Sequence, residues 1–215
     1  MFFFPGEPNT ALATLLFWLF SNYIEILATL TGLIYLVYSV RGIIWLWFFG
    51  ILTSILYVYV FFQAKIYADM SINVYYVLIS MYGWYHWVFG KNRDQDELPV
   101  GRVERKQSII LLGITLALFL FIAFILKKFT DSDIAVFDAL TTSASITATW
   151  MLARKMLEHW LIWICVDALS MGLYIFKGLY PTVILFGFYT ALAVLGYIAW
   201  KKKWKEQENT VSGSY

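Results

Sequence analysis

Uncharged apolar runs of membrane-crossing length constrain this chain more than any other feature. A helix needs about 20 mostly apolar residues to cross the hydrocarbon core of a bilayer. Segments 43–62, 108–126 and 179–200 are such runs and carry no charge. Four more, 22–40, 71–90, 134–153 and 160–176, are interrupted only by isolated polar groups. An ordinary soluble domain is excluded. Apolar residues make up 61% of the 215 and charged residues 14%, too few charges to cover a water-soluble globule. The net charge of +2 implies no nucleic-acid partner. The expected fold is an all-α integral membrane protein with seven transmembrane helices. A shorter apolar stretch, 11–20, is either an interfacial helix or an extension of the first span.

Loop charges orient the spans. With the C-terminus in the cytoplasm, twelve cationic residues lie inside, among them Arg41, Arg102, Arg154, Lys155 and Lys201. Only Lys65, Lys127, Lys128 and Lys177 lie outside. This matches the positive-inside rule and places the N-terminus outside. Residues 1–8 lack the basic start of a cleavable signal peptide. Loop 91–106 mixes acids and bases with Pro99 and Gly101 and reads as a solvated cytoplasmic connector. The tail 206–215 is polar and reads as disordered. Cys165 stands alone, so there is no disulfide framework.

Sliding the chain over itself by 113 residues superposes landmarks. Glu25 falls on Asp138, Arg41 on Arg154 and Trp47 on Trp160. Tyr76 falls on Tyr189, Gly83 on Gly196 and Trp87 on Trp200. The reading is two parallel three-helix repeats joined by a linker helix that restores orientation, with a solute site near mid-membrane between them. The expected organisation is an extracytoplasmic or interfacial segment (1–20), repeat one (21–90), a cytoplasmic loop (91–107), linker helix (108–127), repeat two (134–200) and a cytoplasmic tail (201–215).

Polar groups inside the hydrocarbon mark the candidate site. Asp167 lies about 10 Å into its span, where a carboxylate is costly and should face protein or a wet cavity. Trp160, Trp163, Asp167, Ser170 and Tyr174 form one stripe on that helix. Two indoles beside a buried acid suit a flat cationic or polar ring, although such a stripe also serves helix packing. Span three offers Asn73, Tyr76, Ser80 and Trp84. Span two adds Thr53, Ser54 and Tyr57, and span seven adds Tyr189. Span five carries Asp138, Thr141, Thr142, Ser145 and Thr149, residues that equally allow close helix packing. His86 and His159 are isolated, and no HExxH, GxSxG or phosphate loop is present, so a metalloenzyme or serine hydrolase lacks its parts. A retinal photoreceptor needs a lysine deep in its last span. Lys177 precedes that span and none lies within 181–200. A seven-helix receptor or a passive channel stays as the alternative from a different class, and a lipid-modifying enzyme lacks an obvious nucleophile and base pair.

Three segments carry a family resemblance: Tyr82-Gly-Trp-Tyr-His-Trp87, Trp160-Leu-Ile-Trp163-Ile-Cys-Val-Asp167 and Gly196-Tyr-Ile-Ala-Trp200-Lys. Over residues 23–204 the chain resembles the PnuC family of bacterial nicotinamide riboside transporters. The resemblance implies a 3+1+3 fold like that of full-length SWEET transporters, a place in the bacterial inner membrane and a homotrimer. It implies facilitated diffusion without a cofactor, drawn forward by a cytoplasmic kinase that phosphorylates nicotinamide riboside for NAD synthesis. Related transporters take riboflavin or thiamine. The family's WxxW pattern stands at Trp84/Trp87 and Trp160/Trp163, while Tyr197 replaces the first Trp in span seven. On this resemblance Trp163 and Tyr174 sandwich the pyridinium ring, Asp167 offsets its charge or binds the ribose, and Asn73 reads the polar edges.

Overall fold

The computed structural model describes residues 10–91, 97–131 and 133–212. The described residues form eight helices: α1 (Thr10–Ser21), α2 (Tyr23–Arg41), α3 (Leu46–Gln63), α4 (Tyr67–Phe89), α5 (Arg105–Phe129), α6 (Ala135–Ala153), α7 (His159–Phe176) and α8 (Tyr180–Ser212). Each of the seven apolar runs falls in its own helix, α2 to α8. The shorter N-terminal stretch forms the separate helix α1, which packs only on α2.

Five helices (α2, α3, α5, α7 and α8) are long and apolar enough to cross a membrane by length and composition. Helices α4 and α6 fall short because they carry hydroxyl, amide and acidic groups. On α6 the hydroxyls of Thr141, Thr147 and Thr149 donate to the carbonyls of Phe137, Ser143 and Ser145 four residues back. Such back-bonding satisfies a polar group within an apolar setting. Helix α5 begins with a capping box, the Glu104 side chain accepting from the backbone of Gln107 while the Gln107 side chain accepts from Glu104 N–H. That satisfies two helix-end donors reciprocally.

Helices α2, α3 and α4 pack in series, as do α6, α7 and α8. The two sets meet where α4 touches α6 and α2 touches α8, and α5 packs on α6 alone. The offset of 113 reappears in the backbone. The described residues with positive φ are Gly42 (67°), Lys65 (58°), Lys155 (54°) and Gly178 (67°). They form two pairs, 42/155 and 65/178, at that spacing. Close approaches repeat too. A Cβ on Gly83 would lie 2.5 Å from Cζ2 of Trp47, and one on Gly196 would lie 2.6 Å from Cζ2 of Trp160. Only glycine lets an indole seat this near the helix backbone.

Two further indoles bond across the sets. Trp87 Nε1 donates to the Ala153 carbonyl at the end of α6 (3.2 Å), and Trp200 Nε1 donates to the Ser39 carbonyl near the end of α2 (3.0 Å). The first gives the Ala153 carbonyl a partner that its helix end leaves it without, and the second adds a second donor to a Ser39 carbonyl that already accepts from Gly42 N–H (3.0 Å). Trp47, Trp87, Trp160 and Trp200 join Leu46, Leu98, Val100 and Leu157 in one buried cluster.

Two loop expectations change. Residues 97–103 are a strap rather than a solvated connector, and residues 92–96 lie outside the described residues. Leu98 and Val100 are buried. Gly101 N–H donates to the Lys155 carbonyl (3.0 Å) and the Gly101 carbonyl accepts from Leu157 N–H (2.9 Å). Val103 N–H and Arg102 Nε both donate to the Glu158 carboxylate. Apolar side chains at 98 and 100 and a bidentate acid at 158 outweigh the local polarity. Of the tail, residues 213–215 lie outside the described residues, and residues 206–212 are helical, since α8 runs to Ser212. Its Gln207 side chain accepts from Val100 N–H (3.0 Å), and Arg102 lies 5.1 Å from the centre of the Trp204 ring. Lys155, at the α6–α7 turn, is only 3% exposed. Burial pushes its ammonium down to about 8, against the pull of Glu97 at 3.6 Å.

Candidate solute-binding site

Two adjoining chambers open among the helices. The first, about 270 Å³, is lined by Tyr35 and Ser39 of α2, Tyr57 of α3, Trp160, Trp163 and Asp167 of α7, and Tyr189 and Ala193 of α8. The second, about 260 Å³, is lined by Gly50, Ser54 and Tyr57 of α3, Asn73, Tyr76 and Ser80 of α4, and Thr149 of α6. Tyr35, Tyr57 and Trp163 border both. They form a shared wall of three aromatic rings.

The chambers correspond under the 113-residue offset. Trp163, Asp167, Tyr189 and Ala193 of the first match Gly50, Ser54, Tyr76 and Ser80 of the second. One half thus presents an indole and an acid where the other presents a bare backbone and a hydroxyl. The first chamber holds the acid, and the second sets neutral hydrogen-bonding groups beside the shared rings.

Asp167 is 8% exposed, and its side chain makes no hydrogen bond or ion pair among the described residues. A buried carboxylate without a partner is costly, and this one stands on the wall of the first chamber. Trp160 is buried with its indole N–H unpartnered. Asn73 donates through Nδ2 to the Asp69 carbonyl (2.8 Å), which leaves its amide oxygen free of that bond. Thr53 donates to the Thr31 hydroxyl (2.8 Å), and Thr29 shares a hydrogen with the Tyr57 hydroxyl (3.3 Å).

Seven of the ten residues singled out from sequence line the two chambers: Ser54, Asn73, Tyr76, Trp160, Trp163, Asp167 and Tyr189. Three do not. Tyr174 packs on Phe186, ring centres 5.2 Å apart. Trp84 packs edge-on against Trp45 and Phe48, both exposed. Ser170 is buried on α7 without reaching either cavity. Sequence reasoning passed over Tyr35. Its signal was the run Ala28, Gly32, Tyr35 and Ser39, spaced as one helix face with small residues around a single phenol. Among the described residues no group of three or more metal-binding side chains occurs.

Known proteins resemble this chain over most of its length. The profile of a family described as nicotinamide mononucleotide transporter matches residues 22–202. A nicotinamide riboside transporter, PnuC, of Escherichia coli strain K12 is 21% identical over 210 residues, covering 86% of this chain and 88% of its own. A riboflavin/roseoflavin transporter, RibM, of Streptomyces davaonensis is 25% identical over 197 residues, with 86% and 88% covered. A crystal structure of the vitamin B3 transporter PnuC superposes with a TM-score of 0.68 at 23% identity, covering 90% of this chain and 87% of that one.

Proposed function

Because this chain belongs to the nicotinamide mononucleotide transporter family, and so is a multi-pass membrane transporter and not an enzyme, we propose that its solute is nicotinamide riboside, carried by facilitated diffusion. The observation that carries this reading is the unpartnered carboxylate of Asp167 beside Trp163 in the first chamber. Nicotinamide riboside has a flat cationic pyridinium, an amide and a ribose. The indole offers a face that attracts a cationic ring, and the carboxylate offsets its charge. The second chamber's Ser54, Asn73 and Ser80 suit ribose hydroxyls.

Neither chamber is lined by a lysine or arginine. A phosphate carried into them would meet no cation and would face Asp167. The lining therefore favours the riboside over the phosphorylated nucleotide. It also favours a cationic solute over neutral riboflavin, the substrate that the Streptomyces relative's name gives.

The same reading extends to the architecture and the setting. Helices α2–α4 and α6–α8 act as two parallel three-helix repeats across seven spans, with α5 as the linker, in the SWEET-like 3+1+3 order. The positive-inside count supports an outside N-terminus and a cytoplasmic C-terminus in a bacterial inner membrane. Alternating access follows from movement of one repeat against the other. A cytoplasmic kinase would trap the imported solute by phosphorylating it, and the chain assembles as a homotrimer.

The test is uptake in proteoliposomes of nicotinamide riboside, nicotinamide mononucleotide, riboflavin and thiamine, with and without an ion gradient. Saturable uptake and counterflow of the riboside alone, indifferent to the gradient, is the expected result. Preference for riboflavin, or uptake that needs an ion gradient, would overturn the proposal.

A further inference from the structure

Helices α4 and α5 both pack on α6 but do not touch each other. The gap between them is a lateral groove of about 480 Å³ with α6 as its floor. Along α5 it runs from Gln107 to Leu118, about 17 Å of helix. That is close to half the thickness of a bilayer's hydrocarbon core, ~15 Å, the depth of one leaflet.

The groove is chemically one-ended. Ile110, Ile114, Leu118 and Ile146 make its length apolar. The hydroxyls along that length already have partners. The Tyr75 hydroxyl donates to the Ile146 carbonyl (2.9 Å), and the hydroxyls of Thr115 and Thr147 bond each other (2.7 Å). The end formed by Gln107 and Arg154 differs. Arg154 is exposed, and its guanidinium donates once, from Nη1 to the Tyr82 hydroxyl (3.2 Å). It forms no salt bridge with a carboxylate among the described residues. A guanidinium has five N–H donors, so most of its capacity for an anion is unused. Arg105 and Lys106, exposed in the first turn of α5, add positive charge at the same end.

We propose that this groove is a binding site for an anionic phospholipid, with an acyl chain laid between α4 and α5 and the phosphate on Arg154. Its assignment to the inner leaflet rests on the orientation proposed above, whereas the binding itself does not. A lipid seated here props α5 away from α4 and braces the outer side of α6, whose other face borders the second chamber through Thr149.

The experiment uses the full chain purified in detergent, titrated with phosphatidylglycerol or with phosphatidylcholine of the same acyl chains. Native mass spectrometry counts bound lipid and thermal unfolding reports stability. Phosphatidylglycerol is expected to bind more tightly and to raise the melting temperature. R154Q weakens phosphatidylglycerol by about fivefold and weakens phosphatidylcholine, whose choline cation offsets its phosphate, by less. I114W fills the groove and displaces both lipids without altering its charge. Inorganic phosphate has no effect on melting. Equal binding of the two lipids, an R154Q that holds phosphatidylglycerol as the parent does, or stabilisation by phosphate alone would overturn the proposal. So would an I114W that binds lipid normally but dissociates an oligomer, since a second copy would then occupy the groove. Nicotinamide riboside binding is measured on the same samples. Its absence in the parent defeats the functional reading and leaves the lipid result standing.

Discussion

Ser54 and Asp167 occupy matching places in the two halves of the bundle, 113 residues apart, and each lines one of the two chambers. The site is built on a repeat but is not symmetric. Charge stands on one side only, next to Trp163, whose counterpart is Gly50.

That asymmetry predicts the cost of moving the acid. Asp167→Asn keeps the shape and removes the charge, so nicotinamide riboside binding should weaken by about 2 kcal/mol, some 30-fold, the scale of a contact to a charged group. The exchange Ser54→Asp with Asp167→Ser should not restore it, because one turn before position 54 stands Gly50, where Trp163 precedes Asp167. Calorimetric titration of the three proteins checks both points. Parent-like affinity in Asp167→Asn refutes the role given to the carboxylate.

Gly83 and Gly196 should resist any side chain. The added methyl would lie 2.5 Å and 2.6 Å from the Trp47 and Trp160 rings, so Gly83→Ala and Gly196→Ala should each destabilise by about 1–3 kcal/mol, as overpacking does. Gly113→Ala is the control, for a Cβ there meets nothing within 4 Å and improves helix propensity. Melting temperatures in detergent should fall for the first two and hold or rise for the third.

The crossed indole bonds tie the halves together. Trp87→Phe leaves the Ala153 carbonyl without a partner, at about 1–3 kcal/mol, whereas Trp200→Phe removes one of two donors to Ser39, which keeps Gly42 N–H, at about 1 kcal/mol. Their rings lie 6.0 Å apart, so the double variant should depart from additivity. A thermal double-mutant cycle reads this directly, and strict additivity would mean that the two bonds act independently.

Lys155 predicts a pH dependence. Its ordinary value of 10.5 falls to about 8 in the fold. Between those values the unfolded chain holds the proton and the folded chain does not, so stability rises with pH. Below about 8 the full opposition of the buried charge remains, at most about 3 kcal/mol. Lys155→Met should therefore be more stable than the parent at pH 7, and the gap should close as pH approaches 10.5. A gap that stays constant from pH 7 to 10 would show that the ammonium is not desolvated.

Helix positions were legible in the sequence because hydropathy alone decides what enters a bilayer. The 113-residue offset was legible because its landmarks carry specific jobs, as when Gly83 and Gly196 seat indoles. Asp167 was legible as a lone acid in an apolar helix. The far end of its stripe was not. Tyr174 lies 14 residues from Trp160, about 21 Å along the helix, beyond the reach of a chamber of this size. Trp84 shares the WxxW spacing with Trp87, yet turns to Trp45 and Phe48, because three residues advance a helix by less than a full turn. Tyr35 was hidden because its face is defined by small residues whose absence of bulk makes the cavity. The strap over 97–103 depends on Glu158 and Gln207, contacts more than 50 residues distant in sequence that local polarity does not reveal.

Helix α8 runs 33 residues without a break, about 50 Å. It borders the first chamber at Tyr189 and holds the strap at Gln207. A stiff rod of that length behaves as a lever. A small tilt at the first chamber becomes a larger sideways sweep at the far end, where Val100 is fastened. Since the strap also lies on the peptide connection between the halves, one rigid element joins the wall of the chamber to that connection.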